Sequence, residues 1–116
     1  MSPRPEAAAP RAGDLARVFF ALGDETRLRI VAVLCAGGAF SIAQLTTTTA
    51  ITRQAVTKHL QVLSDARLVR DVKVGRERLY QLDPGQIDDA RRSLDLIGRQ
   101  WEQALGRLKA SVESGP

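Results

Sequence analysis

The chain of 116 residues contains one cysteine, Cys35, and one histidine, His59. A lone cysteine closes no internal disulfide, which excludes the disulfide-stapled secreted folds. One thiol and one imidazole also fall short of a tetrahedral metal site built from soft ligands. Long apolar runs are missing. The longest, residues 30–36, has seven residues, whereas a membrane span needs about 20. There is no phosphate-binding glycine loop, no nucleophile beside a base and no carboxylate pair in a plausible cleft. The chain therefore reads as a non-enzyme without a cofactor. The N-terminal MSPRPEAAAPRAGD lacks the apolar core of a signal peptide and is broken by prolines. It reads as a disordered tail over residues 1–13 of a cytoplasmic protein.

What is present suits one small domain. Apolar residues make up 44% of the chain, enough for a compact core with little surplus, so a partner subunit would help. Lysine and arginine number 17 against 13 acids, a net charge of +4 that permits a polyanionic partner. Order is expected over residues 14–112, followed by a frayed tail at 113–116.

Leu15, Val18, Phe19 and Leu22 keep helical spacing and predict a short first helix ending at Gly23. Asp24 is placed to cap a second helix, with Leu28, Val31, Leu34 and Cys35 on one stripe. Gly37-Gly38 stops it. Ser41 followed by Gln44 forms a capping box for a third helix, Ile42 to about Thr48. The threonine run that follows is a poor helix interior. Thr52 caps a fourth helix running from Arg53 to about Ala66. After Leu68 the period changes to two. VRDVKVG and RERLYQL predict a hairpin around Gly75, and Asp83-Pro84 opens a last helix reaching about Val112. The order is α-α-α-α-β-β-α. The fold expected is mainly α (α+β), a winged helix-turn-helix.

The fourth helix has an unusual polar side. At 100° per residue, Ala55, Val56, His59, Leu60 and Leu63 share one arc. Gln54, Thr57, Lys58 and Gln61 lie opposite, with Arg53 at the boundary. This face is rich in donors and has no carboxylate before Asp65. In a helix-turn-helix the second helix enters the major groove, N-terminal residues foremost. Gln and Arg suit the edges of adenine and guanine, threonine can touch thymine, and Lys58 is better placed for phosphate. From Thr52 to Arg78 there are seven Lys/Arg and three acids, so this segment alone is +4. Arg76 and Arg78, beside the Gly75 turn, are placed to follow the DNA backbone or enter a minor groove. The DNA-binding candidates are thus Thr52, Arg53, Gln54, Thr57, Lys58, Gln61, Arg76 and Arg78.

Three further residues have plainer readings. His59 is expected to be a packed histidine with one hydrogen bond, since its arc points inward. Cys35 is expected to be buried and inert. Arg27 is expected to pair with a nearby acid and fix the junction between helices. The last helix holds Ile87, Ala90, Leu94, Ile97, Trp101, Leu105, Leu108 and Val112 within an arc of about 80°. A stripe so long and narrow exceeds the needs of one small domain. Leu94, Ile97, Trp101, Leu105 and Leu108 are the candidate seam of a two-fold dimer formed through the terminal helices.

The stretches LGDETRLRIV (22–31), AVTKHLQVLSDARLV (55–69) and VGRERLYQL (74–82) resemble the ArsR family of bacterial winged-helix repressors. The resemblance covers about Leu15 to Leu108. It implies a homodimer on a pseudo-palindromic operator in double-stranded DNA, and repression released by a signal. The chain departs from the family pattern at two backbone positions, where Ala50 and Arg67 stand in place of frequent glycines. Many family members sense metal through a Cys-x-Cys pair near the third helix, where this chain reads Ser41-Ile42-Ala43. Others use His and Asp on the last helix, which here has Asp88 and Asp89 but no histidine. The chain therefore resembles the metal-free branch, with no metal site and an inducer that the sequence does not identify. The alternative is a winged-helix module that binds protein and never reads DNA. The carboxylate-poor helix face argues against it.

Overall fold

The computed structural model describes residues 12–115. The elements are α1 (Ala12–Leu22), α2 (Glu25–Cys35), α3 (Ile42–Thr49), α4 (Arg53–Asp65), β1 (Val69–Val74), β2 (Glu77–Leu82) and α5 (Pro84–Glu113). The order is the expected one. Most of the anticipated N-terminal tail lies outside the described residues, but Ala12 and Gly13 already belong to α1.

Helices α2 to α5 each start where a short polar side chain satisfies free N–H groups. Asp24 accepts from the Arg27 N–H, and Thr52 accepts from the Ala55 N–H. At α3 the capping box is complete: Ser41 accepts from Gln44 N–H while the Gln44 side chain accepts from Ser41 N–H. α3 runs on through the threonines to Thr49, past the expected end. Thr46, Thr47, Thr48 and Thr49 each donate their hydroxyl to the carbonyl four residues back. The hydroxyl that makes threonine a weak helix former is thereby absorbed by the helix itself.

The core is aliphatic and lies where α1 to α4 meet. Val18, Ile30, Leu34, Leu45, Val56, Leu60, Leu63 and Leu68 are its largest fully buried side chains. In α2 the inward face differs from the expected one. Ile30, Val31 and Leu34 are buried, while Leu28 is 49% exposed. Cys35 is exposed too, against the expectation of a buried thiol. The phase of the helix is set by Arg27, Ile30, Val31 and Leu34 at i, i+3, i+4 and i+7. A polar residue in the first inward position hid that stripe from an apolar pattern.

The wing is a two-stranded antiparallel hairpin with Val69 opposite Leu82 and Val74 opposite Glu77. The register leaves a two-residue turn, with Gly75 at φ 61 in its first position, as a II′ turn requires. The sheet is tied to the helices at a point that sequence reasoning missed. Phe40, between α2 and α3, exchanges both backbone hydrogen bonds with Tyr80, at 2.9 and 2.7 Å.

The two departures from glycine fall where the chain turns left-handed. Ala50, between α3 and α4, has φ 57, and Arg67, after α4, has φ 60. A side chain in that region costs on the order of 1 kcal/mol relative to glycine. Arg67 is exposed, and its side chain makes no hydrogen bond or ion pair among the described residues. Arg67→Gly is therefore expected to stabilise the fold, raising the melting temperature by about 4 °C. A thermal melt followed by circular dichroism checks this, and an unchanged or lower Tm rejects the strain.

Candidate nucleic-acid interface

α3 and α4 form the helix-turn-helix, joined by Ala50, Ile51 and Thr52. The left-handed Ala50 ends α3, and its N–H bonds back to the Thr46 carbonyl. α4 then buries Val56, Leu60 and Leu63. Burial of that side leaves Arg53, Gln54, Thr57, Lys58 and Gln61 exposed together on the other. Thr52 also stays exposed, with its hydroxyl accepting the cap bond at 3.1 Å.

The candidates are not equally free. Thr57 donates its hydroxyl to the Arg53 carbonyl at 2.9 Å, which leaves its methyl for apolar contact. Gln61 donates to Asp65 at 2.9 Å, so the C-terminal end of the face does carry a carboxylate. The open donors therefore concentrate in the first turn and a half of α4, at Arg53, Gln54 and Lys58. Among the described residues, Arg53, Lys58 and Arg76 have no acid within ion-pair distance. Arg78 has one: its Nε lies 3.4 Å from Asp71 on the neighbouring strand. Arg76 occupies the second turn position of the wing and is exposed.

The inner side of α4 carries His59, half-buried, beside Arg27 and Asp24. Contrary to expectation, the Arg27 side chain does not pair with an acid. It donates instead to the carbonyls of Ala21 and Phe20 at the end of α1. The Asp24 carboxyl is held below the usual range, first by the Arg27 backbone N–H and then by the charges of Arg27 and His59. The signal for this role was the i, i+3, i+4, i+7 phase noted above.

Comparison with known proteins agrees with this geometry. The family profile described as Helix-turn-helix domain matches residues 22–72, from the end of α1 into the wing. The HTH-type transcriptional regulator Rv2034 of Mycobacterium tuberculosis is 43% identical over 98 residues, 84% of this chain and 88% of the relative. The structure of an ArsR-like transcriptional regulator from Rhodococcus sp. RHA1 superposes with a TM-score of 0.79 at 39% identity, covering 89% of this chain and 96% of the other. The chain belongs to the ArsR family of winged helix-turn-helix transcriptional regulators. A more distant ArsR-like domain from Mycobacterium bovis, described as a homodimeric winged helix-turn-helix DNA-binding domain, shares the fold at 23% identity. Its TM-score is 0.61 over 92% of this chain and 95% of that one. As an ArsR-family protein, this chain is a DNA-binding regulator of transcription.

Two further features bear on the ArsR reading. Among the described residues, no group of three or more His, Cys, Asp and Glu side chains is placed to hold a metal ion. No helix among them is long and apolar enough to cross a membrane. On α5, Ala90 is buried and Ile87 packs against the core. From Leu94 onward the stripe is bare: Leu94, Ile97, Trp101, Leu105, Leu108 and Val112 are all exposed.

Proposed function

We propose that this regulator is a homodimeric repressor that reads a pseudo-palindromic operator and leaves it in response to a non-metal signal. It would act in the cytoplasm, at the nucleoid, and without an enzymatic step. The observation that carries the reading is the exposed, carboxylate-free N-terminal half of α4 beside a cationic wing. Arg53, Gln54 and the Thr57 methyl read base edges, Thr52 and Lys58 hold the entry to the groove, and Gln61 marks its far limit. Arg76 and Arg78 clamp the flanking backbone.

A second copy of the chain is supported by the bare stripe of α5. Six large apolar side chains at helical spacing are more than a monomer leaves open without reason. The homodimeric state of the Mycobacterium bovis domain points the same way. A two-fold dimer presents its α4 helices to successive major grooves, about 34 Å apart. A non-metal signal follows from the donor set: one cysteine and one histidine in the chain.

The test is fluorescence anisotropy at physiological salt. A duplex selected by the protein from random sequence competes with its shuffled version. The selected duplex is expected to bind about 10³-fold more tightly. Gln54→Ala is expected to reduce that preference by about tenfold or more through the loss of one base contact. Lys58→Ala is expected to weaken both duplexes alike, because a phosphate contact is blind to sequence. Weak and equal binding of both duplexes by the wild type would favour the protein-interaction module instead.

A further inference from the structure

Among the described residues, the polar side-chain contacts between α4 and the other helices all pass through one imidazole. The His59 side chain is 23% exposed, and its Nδ1 lies 3.9 Å from Asp24 Oδ2. The same Nδ1 stands 3.4 Å from Arg27 Nη1. On its other side Arg27 grips the end of α1. Its Nε donates to the Ala21 carbonyl at 2.7 Å, and Nη2 donates to the Phe20 carbonyl at 3.2 Å. The guanidinium also lies over the Phe20 ring, 5.3 Å from its centroid. The backbone of Arg27 is fixed in turn by the Asp24 cap. One planar fork therefore joins the last turn of α1, the first turn of α2 and the middle of α4.

The rest of the inner face of α4 is Val56, Leu60 and Leu63. Aliphatic burial is non-directional, so it resists separation better than it resists rotation. A hydrogen bond has a direction and resists both. The difference matters for reading bases. Turning a helix by about 15° carries a side-chain tip, about 6 Å from the axis, through about 1.5 Å. The whole useful range of an N–H···O bond is about half an ångström. His59 sits next to Lys58 and two residues from Thr57, so the outward side chains turn with it.

We propose that Arg27 is a positioning residue for sequence readout, fixing the rotation of α4 through His59 Nδ1 without touching DNA itself. The proposal rests on α4 being the groove-reading helix. It also carries a proton dependence. Nδ1 accepts from Arg27 only in a neutral ring whose proton is on Nε2. A protonated ring has no acceptor left and meets the guanidinium with like charge. Its Nδ1–H then has Asp24 as the alternative partner. The charged groups facing the ring are Arg27 and Asp24. α3 has no ionisable side chain, α1 brings two carbonyls and the Phe20 ring to this network, the charged side chains of β1 (Arg70, Asp71 and Lys73) are exposed, and Lys58 is on the outward face. Proton uptake exchanges the Arg27–His59 bond for a His59–Asp24 pair, and closing that pair from 3.9 Å turns α4 away from the rotation that the fork sets.

The experiment titrates the selected and shuffled duplexes with the full-length wild type, Arg27→Lys and His59→Gln, at about pH 7.5 and about pH 5.5. Thermal melts are run at both pH values. Arg27→Lys keeps the charge but loses the fork. It is expected to lose about tenfold in affinity for the selected duplex, with shuffled binding changed by less than about twofold. Wild-type discrimination is expected to fall about tenfold at the lower pH, and that of Arg27→Lys to be low at both. Glutamine keeps an acceptor that takes no proton, so His59→Gln is expected to discriminate equally at both pH values. Equal loss on both duplexes would make Arg27 a phosphate contact. A lowered Tm with discrimination intact below the melt would make it only a fold anchor. Either result overturns the proposal, as does Arg27→Lys that discriminates like the wild type. If the wild type selects no sequence at all, the DNA-reading function itself falls, and this proposal with it. Arg27→Lys alone decides the matter if His59→Gln melts below the assay temperature.

Discussion

Trp101→Glu is expected to yield a folded monomer whose operator affinity is lower by about a hundredfold or more. Three steps lead to that number. Within one protomer Trp101 is 64% exposed, so the substitution removes little that holds the protomer together. α5 joins the body near its start, where Ala90 is buried and Ile87 packs on the core. Helix content and the core are therefore expected to survive. The cost falls on assembly. With 64% of its surface free, Trp101 has about 100–160 Å² left to bury, worth about 2.5–4 kcal/mol at about 25 cal/mol per Å². A carboxylate in its place meets an apolar partner face and loses several kcal/mol more by desolvation. In an isologous interface each substitution counts twice.

The DNA consequence follows from geometry. In the proposed dimer, two α4 helices held together engage the second half-site as an intramolecular event. That link contributes about 10²–10⁴ in affinity without any new contact. A monomer keeps its half-site contacts and loses the link. Analytical ultracentrifugation, circular dichroism and anisotropy together check the chain of steps. The wild type is expected at twice the protomer mass with a concentration-dependent Tm, and the variant at the protomer mass. A dimeric Trp101→Glu would show that the stripe is not the seam. A monomer that binds as tightly as the wild type would show that the operator has one half-site.

Much of this arrangement is legible in the chain because its signals are local and agree with one another. Ser41 with Gln44, Asp24 and Thr52 each mark a helix start that the structure repeats. Ala50 and Arg67 were visible only as missing glycines, yet both lie in the left-handed region. The outward grouping of Arg53, Gln54, Thr57 and Lys58 follows from helical period alone. What escaped is non-local or breaks the binary pattern. The Phe40–Tyr80 bridge joins residues 40 positions apart and has no periodic signature. The apolar pattern places Leu28 inward, and the charge of Arg27 suggests an acid as its partner. Instead Leu28 is exposed and Arg27 turns inward, where two carbonyls and an imidazole satisfy its donors. Propensity alone ends α3 within the threonine run, because it takes no account of hydroxyls bonding four residues back. The Gln61–Asp65 bond is a choice between solvent, DNA and a neighbour that spacing alone does not decide.

Raising salt from about 50 to about 200 mM is expected to weaken operator binding by roughly 10³–10⁴. The proposed contacts Arg53, Lys58, Arg76 and Arg78 would give eight cations across the proposed dimer. Arg78 is partly neutralised by Asp71 at 3.4 Å, which lowers the effective number toward six. Each phosphate neutralised contributes about −0.9 to the slope of log K against log salt, so the slope lies between about −5 and −7. Fourfold more salt then gives the stated loss. Substitutions separate the contributors. Lys58→Ala removes two contacts per dimer and is expected to flatten the slope by about 2. Gln54→Ala is expected to change affinity and leave the slope alone, because a base contact releases no counterion. Asp71→Asn has the opposite sign to Lys58→Ala. It frees Arg78 for phosphate, so binding at low salt tightens and the slope steepens by up to about 2. A slope near zero, or one unmoved by both Lys58→Ala and Asp71→Asn, would place the positive charge of α4 and the wing away from the DNA.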